Sequence, residues 1–307
     1  MSDILIFLCA GTLAAATPLV LAAMGELITE KAGVLNLSIE GMMALGAAAA
    51  FVYVKDGGSI AGGFLVGGVF GILLSSVFAV LAIYFLANQV IAGLAVGILG
   101  VGLSALIGKR YESLMIQGLE KLDIPFLRDI PFLGKTLFNQ DVVVYLSIAL
   151  VMLVVLFLKY TKMGLIIRAI GESPSSAHAI GYPVRFYRFL AVLFGGLMSG
   201  LAGAYISIAY TPLWADGLVA GRGWIVVALV VFGSWRAGRV AIGAYLFGAV
   251  SLTELAAQGF GFDVPSQLFS AAPYLVTIFI LAVISKDSSR NKLSAPISLG
   301  AQFNNPG

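Results

Sequence analysis

The stretch from Asp141 to Leu158, DVVVYLSIALVMLVVLFL, decides the class of fold. After its first residue it contains no charged side chain, and Lys159 follows directly. An apolar run of about 18 residues or more is long enough to cross the hydrocarbon core of a bilayer as an α-helix. This stretch therefore predicts a membrane span.

The rest of the chain has the same character. Of its 307 residues, 60% are hydrophobic and 11% are charged, and the mean hydropathy is +1.02. A soluble domain could not bury so much apolar surface. The 37 glycines agree, because small residues let transmembrane helices approach closely. Gly196 and Gly200 form one GxxxG pair, which is either a helix contact face or a chance pairing in a glycine-rich chain.

Hydropathy predicts an all-α integral membrane bundle of about nine spans, with eight or ten as alternatives. The predicted spans are 4–25, 34–54, 60–86, 89–107, 141–158, 189–210, 223–235, 240–260 and 267–285. The second span begins with polar groups that lipid would not tolerate, and the seventh is too short to cross comfortably. Broken helices are therefore predicted near 33–41 and 221–238, in corresponding places of the two halves, as in transporters built from repeats.

The Lys and Arg residues of the short connections predict the orientation. With the N-terminus outside, the outer connections hold only Lys55 and Arg222. The inner connections then hold Lys31, Lys159, Lys162, Arg168, Arg185, Arg188, Arg236, Arg239, Lys286, Arg290 and Lys292. We therefore expect one transmembrane domain, residues 1–307, with its C-terminus inside. Residues 108–140 would be an external loop and 286–307 a cytoplasmic tail.

Few residues could carry catalysis or hold a metal ion. No GxxxxGK[ST] loop occurs, and a single His and a single Cys cannot form a transition-metal cluster. The only histidine, His178, lies in a predicted cytoplasmic connection and not in a pocket within the membrane. No basic cluster indicates nucleic acid. We expect no enzyme activity and no metal or cofactor bound by this chain; if ATP is used, another chain binds it.

The connection between the fifth and sixth spans, residues 159–188, is longer than a turn needs and mixes apolar with polar residues. Ser173 followed by Pro174 is a helix-start signal, and Gly181 suits the end of a short helix. The residues alone fit either a short helix at the cytoplasmic surface or an amphipathic loop resting on lipid headgroups.

This connection resembles the cytoplasmic coupling loop of ABC importer permeases of the ribose and branched-chain amino acid group, in which a Gly-Glu-x-Pro-x-x-Ala-x-x-x-Gly pattern recurs. The matching residues are Gly171, Glu172, Pro174, Ala177 and Gly181. The likeness covers nearly the whole chain. Further matching stretches, which resemble the nucleoside and simple-sugar branch, are 36–43, 88–95, 221–224, 232–235 and 273–275.

The resemblance implies a permease subunit of a bacterial cytoplasmic (inner) membrane that carries nucleosides or a similar small polar solute into the cytoplasm. It implies a second permease subunit, with a heterodimer expected, and an extracytoplasmic solute-binding (lipo)protein. It also implies a cytoplasmic ABC ATPase that uses ATP and Mg and docks through residues 168–181 of the 159–188 coupling loop. Arg168 and Glu172 would supply polar contacts at the rim of the docking helix. His178 and the neighbouring serines stand where the family is variable, so they say nothing about the partner.

Polar side chains within the predicted spans are candidates for the solute path, because an unpaired amide or carboxylate is costly in hydrocarbon. The candidates are Asn36, Ser38 and Glu40 in the second span and Asn88 and Gln89 at the start of the fourth. The amides could instead tie helices together, and Glu40 could neutralise Lys31 or cap a neighbouring helix.

Two further residues have open roles. Trp224 could stack a base, although aromatic residues at span ends also anchor the membrane interface. Glu254, in the eighth span near Thr253 and Gln258, could relay a proton or pair with the partner subunit. A proton-coupled secondary transporter that uses Glu40 and Glu254 is therefore the alternative to ATP-driven import.

Overall fold

The computed structural model describes residues 2–122, 133–259, 275 and 295–304, without the side chains of 254–259 and a few near 2–7 and 133–135. The ninth predicted span, 267–285, lies outside this part apart from residue 275. The helices are α1 Ser2–Lys31, α2 Ile39–Lys55, α3 Ile60–Ala79, α4 Gln89–Gly108, α5 Leu133–Leu137, α6 Val142–Tyr160, α7 Lys162–Glu172, α8 Pro174–Ala179, α9 Val184–Tyr205, α10 Arg222–Phe232 and α11 Ala237–Gly259. Single π-helical turns, Val80–Tyr84 and Ile206–Tyr210, extend α3 and α9.

Five helical segments of the described chain are long and apolar enough to cross a membrane. They are Leu8–Lys31, Ile60–Tyr84, Gln89–Tyr111, Val142–Tyr160 and Val184–Tyr210. Two shorter apolar helices, Arg222–Phe232 and Ala237–Thr253, accompany them. The first eight predicted spans each overlap a helix of the structure. The chain is therefore a polytopic all-helical membrane bundle, as predicted.

Helix α2 lies in the middle of the bundle and contacts α3, α4, α9 and α10. Its sequence suits this position, because glycines and alanines leave room for neighbouring backbones. A Cβ on Gly41 would lie 2.3 Å from the carbonyl oxygen of Gly97 in α4, and one on Gly46 would lie 2.7 Å from that of Gly200 in α9. Backbone packing of this kind holds helices together where no water drives their association.

The GxxxG pair of α9, Gly196 and Gly200, lies in the contact between α9 and α3. It is therefore a helix contact face and not a chance pairing. A Cβ on Gly196 would lie 2.1 Å from the hydroxyl of Ser75, and one on Gly200 would lie 2.3 Å from the carbonyl oxygen of Gly67. Larger side chains at either position would push the two helices apart.

The chain is interrupted at both predicted places. The first break, residues 32–38, separates α1 from α2 and contains Gly33 with a φ of 85°. The second break, residues 233–236, separates α10 from α11 and contains Ser234 and Trp235 with φ values of 50° and 54°. Helix α10 is only 11 residues long, which agrees with the short seventh span of the sequence.

Helix α1 extends beyond the predicted first span, which ends at residue 25. It continues to Lys31, and both acidic residues of its last two turns, Glu26 and Glu30, are buried. The helix can continue because protein and not lipid covers these carboxylates. The backbone N–H of Asn36 donates to Glu26 Oε1 at 3.4 Å, and the indole N–H of Trp235 donates to Glu30 Oε2.

Several of the basic residues assigned to the inner connections gather at one end of the bundle, called here the basic end. Arg168 and Arg236 both lie within electrostatic range of Lys31 there, and Arg188 donates to the carbonyl oxygen of Ala32 at 3.0 Å. The opposite end contains Lys55, whose ammonium donates to the carbonyl oxygen of Met115. The predicted orientation places the basic end in the cytoplasm.

Candidate functional site

Glu40, in the first turn of α2, caps the N-terminus of α10. Its two carboxylate oxygens each accept a backbone hydrogen bond of 2.7 Å, Oε1 from Gly221 and Oε2 from Gly223. The first N–H groups of a helix have no partner within it, and its dipole favours a negative charge there. Capping a neighbouring helix, one of the structural roles open to Glu40, is therefore present in the structure.

Only a glycine fits at position 223. A Cβ there would lie 2.4 Å from the backbone nitrogen of Glu40 and 2.5 Å from its Cα. Gly221, two residues earlier, has a φ of 80°, which lets the chain turn into α10. Two of the matching stretches, 36–43 and 221–224, therefore meet at this contact. Trp224 follows on α10 with 46% of its surface exposed.

Asn36 and Ser38 organise the extended chain that leads into α2. Both side chains are fully buried. The amide oxygen of Asn36 accepts from the backbone N–H of Ser38 at 3.0 Å and from its hydroxyl. Nearby, Glu26 Oε2 and Glu30 Oε1 are buried without a hydrogen-bond partner among the described atoms.

Asn88 and Gln89 begin α4 at the basic end. The exposed Asn88 is the N-cap, and its amide oxygen accepts from the backbone N–H groups of Val90 and Ile91. The buried Gln89 accepts from the backbone N–H of Leu35 in the first break at 2.8 Å and donates to the carbonyl oxygen of Ala301 at 3.5 Å. Gln89 thus joins α4 to two other parts of the chain.

The structure brings most of the predicted path residues together around the first break. Asn36 and Ser38 lie within it, Gln89 binds it, and Glu40 follows it, whereas Asn88 lies beside it on an exposed helix end. Each of these side chains has a partner within the protein, and a role in lining the path stays a prediction. Glu254 belongs to α11, but its side chain lies outside the described part.

The connection after the fifth span forms two short helices, α7 and α8. The Ser173 hydroxyl accepts from the backbone N–H of Ser176, Pro174 is the first residue of α8, and Gly181 follows the helix with a φ of 94°. The predicted short helix is therefore present. Helix α7, which begins after the N-cap Thr161, adds a second one that the sequence analysis did not separate.

The exposed side of α7 and α8 forms a surface at the basic end, defined here by Arg168, Glu172 and Ile180 and called the docking surface. Arg168 and Glu172 are exposed, and Ile180 is 73% exposed. Ala177 is buried, and a Cβ on Gly171 would lie 2.2 Å from the carbonyl oxygen of Lys31. The predicted coupling residues therefore divide into side chains that a partner could touch and small residues that position the helices.

Sequence reasoning missed two groups of residues. Arg188 and Ser298, counted only as an inner charge and as part of the tail, are both buried and hydrogen-bonded to each other at 3.1 Å. Glu26 and Glu30 were placed after the first span, although they are buried within the bundle. A helical continuation of the apolar pattern through Leu27 and Ile28 is the signal that could have revealed the two carboxylates.

Comparison with known proteins agrees with this architecture. The model of the family described as branched-chain amino acid transport system, permease component, matches residues 8–284. The chain belongs to this permease family. The permease is 39% identical to a protein of Haloferax volcanii named as a glucose ABC transporter permease, over 95% of this chain and 96% of that protein.

Two bacterial relatives are similar over comparable lengths. The permease is 33% identical to the guanosine ABC transporter permease protein of Bacillus subtilis, over 91% of this chain and 92% of that protein. It is 30% identical to the nucleoside ABC transporter permease protein of Lactococcus lactis, over 87% and 88%. The family resemblance inferred from separate motifs is therefore confirmed.

Family membership fixes the general role of the permease. It is a multi-pass membrane protein and the membrane-spanning subunit of an ABC transport system, as expected from its motifs. Such a subunit implies an ATPase and a solute-binding protein as partners. The relatives are ABC transporter permeases, so they do not favour the alternative of a proton-coupled secondary transporter.

Proposed function

We propose that this permease carries nucleosides into the cytoplasm as half of a heterodimeric ABC importer whose ATPase docks on α7 and α8. The observation that carries the proposal is the docking surface, an exposed pair of short helices held at the basic end by buried contacts. ATP and Mg would be bound by the ATPase alone, because this sequence contains no GxxxxGK[ST] loop.

The caps of α7 and α8 support a docking role. Thr161 and Ser173 fix the start of each helix, and Gly171 packs against the end of α1. Helices fixed in this way move as a unit when a partner closes on them. Ile180 offers an apolar anchor, while Arg168 and Glu172 offer charged contacts at its edge.

The solute class rests on the relatives and on the chemistry beside the first break. Guanosine, other nucleosides and glucose, named for the three relatives, share a hydroxylated sugar ring. Hydroxyl groups form hydrogen bonds with carboxylates, amides and other hydroxyls, and Glu40, Asn36 and Ser38 provide one of each within and just after the first break. Trp224 would add a face for a base. Glucose is the second candidate, because the 39% identical relative is named for it.

The test is uptake by the complete transporter, with its ATPase and binding protein, in proteoliposomes. We expect ATP-dependent accumulation of labelled guanosine or uridine that a protonophore does not abolish. Ile180→Asp should lower uptake by about tenfold or more, because it puts a charge into the core of the docking contact. Labelled glucose in a parallel assay distinguishes the second candidate.

A matched charge change at the opposite end provides the control. Glu112→Lys alters an exposed residue far from α7 in sequence and should leave uptake unchanged, whereas Glu172→Lys on the docking surface should lower it. Uptake that continues without ATP and collapses with a protonophore would contradict the proposal. Normal uptake in both Ile180→Asp and Glu172→Lys would contradict docking of the ATPase on α7 and α8.

A further inference from the structure

The segment 295–304 closes the C-terminal end of helix α7. The backbone N–H of Ser298 donates to the carbonyl oxygen of Gly171 at 2.9 Å, and the Ser298 hydroxyl donates to the same oxygen at 2.7 Å. The last carbonyl groups of a helix lack partners within it, so this segment satisfies one of them twice. Helix α7 therefore cannot shift along its axis without moving Ser298.

Arg188, near the start of α9, binds the same serine, a second residue of the segment 295–304 and the first break. Its Nη2 donates to the Ser298 hydroxyl at 3.1 Å, its Nη1 to the carbonyl oxygen of Ala301 at 3.1 Å, and its Nε to the carbonyl oxygen of Ala32 at 3.0 Å. Only 2% of Arg188 is exposed. A buried guanidinium is stable only when its donors are satisfied, and the negative end of the α1 dipole beside Ala32 adds to this.

Gly33 of the first break packs against the side chains of Arg188 and Ser298. A Cβ on Gly33 would lie 2.5 Å from the Ser298 hydroxyl and 2.8 Å from Arg188 Nη2, and the φ of Gly33 is 85°. The carbonyl oxygen of Gly33 also accepts from the backbone N–H of Gly300 at 3.3 Å. The contacts thus run without a gap from the end of α7 to the chain that leads into α2.

We propose that Arg188 and Ser298 form a latch that passes displacement of α7 and α8 to the first break, and so to Glu40 and the N-terminus of α10. Both are positioning residues for transport, since neither lies on the docking surface or beside the proposed solute site. The latch rests on the proposed function, because it gives the docked ATPase a route to the solute path. Its guanidinium fork is what joins three segments at once.

The decisive variant is Ser298→Ala, which removes the hydroxyl shared by Arg188 and Gly171 and leaves the backbone hydrogen bond in place. In the complete reconstituted transporter, the number of solute molecules moved per ATP hydrolysed should fall at least about fivefold, as a loss of coupling between two sites. Basal ATP hydrolysis and membrane insertion should be unchanged. Asn304→Ala, which removes an exposed polar side chain from the same segment, is the matched control and should behave as wild type.

A second variant separates the shape of Arg188 from its charge. Arg188→Lys keeps the positive charge but loses the fork, so the ratio of solute to ATP should fall as it does in Ser298→Ala. If both variants insert correctly and keep the wild-type ratio, the latch is overturned while ATP-driven uptake by the wild type leaves the proposed function in place.

Amide hydrogen exchange tests the latch without relying on transport. Residues 32–38 should exchange faster in Ser298→Ala than in Asn304→Ala, because the hydroxyl that connects Arg188 to the end of α7 is lost. Equal exchange in the two variants overturns the latch whatever the uptake assay gives. Absence of ATP-dependent uptake by the wild type would instead contradict the proposed function, so the two failures are distinguishable.

Discussion

The two breaks of the bundle are held in different ways. The first break is fixed by distant residues: Gln89 binds the backbone of Leu35, and Arg188 binds that of Ala32. The second break is fixed by its own turn, in which the backbone N–H groups of Gly233 and Trp235 donate to carbonyl groups of α10. The first break has local bonds as well, from the N–H groups of Gly33 and Val34 to carbonyl groups of α1. It differs from the second in that distant side chains also bind its backbone.

Two carboxylates, one on each side of the first break, connect it to the second break. Glu40, just after the first break, caps the helix that leads to the second break. Glu30, just before the first break, accepts from the indole of Trp235 within the second. The two breaks are thus connected through two acidic residues, the half-buried Glu40 and the buried Glu30.

The largest effect is expected at the Glu40 contact. Gly223→Ala would place a Cβ 2.4 Å from the backbone nitrogen of Glu40, and backbone atoms cannot rotate away as a side chain does. We expect a loss of about 3 kcal/mol in the free energy of unfolding, from the forced separation of α2 and α10. Thermal and denaturant unfolding in detergent micelles would measure it.

Gly238→Ala is the matched control for this variant. It lies on α11 just after the second break, is exposed, and has no atom within 4 Å of the added Cβ. The substitution should leave the stability unchanged or raise it slightly, since alanine favours a helix over glycine. Equal stability of the two variants would show that the first break does not depend on contact with α10.

A smaller effect is expected from the second carboxylate. Trp235→Phe keeps an aromatic ring but removes the N–H that donates to Glu30. Losing a hydrogen bond to a charged or strongly polar buried group should cost about 2 kcal/mol. Trp224→Phe, at a tryptophan that is 46% exposed, should cost much less when the same unfolding assay is used. Similar losses in both would mean that the breaks are not joined through Glu30.

The sequence was sufficient to predict the first eight spans and the two breaks, but not the end of α1 or the separate helix α7. Long apolar runs specify spans through composition alone, and polar residues within such runs mark the breaks, because lipid does not tolerate them. The cap signals Ser173, Pro174 and Gly181 also act locally, so the position of α8 could be predicted. These are the features that depend on neighbouring residues in the chain.

The contacts around the first break could not be predicted in the same way. Gly223 meets Glu40 across 183 positions, and Ser298 meets Arg188 across 110. No periodicity or spacing links residues so far apart, and a buried arginine has the same sequence signature as one in a solvated connection. The continuation of α1 through Glu30 was missed for a related reason, because the groups that cover its carboxylates come from other segments.

The smallest expected effect concerns the support of the first break by α4. Gln89→Ala removes the amide oxygen that accepts from the backbone N–H of Leu35, and it should destabilise the protein by about 1 kcal/mol. Amide exchange should then accelerate at residue 35 but not at Trp235, because the second break keeps its local hydrogen bonds. Gln117→Ala, an exposed glutamine outside both breaks, should change neither rate. If both breaks loosened together, their stability would depend more on the contacts of Glu30 and Glu40 than on Gln89 and Arg188.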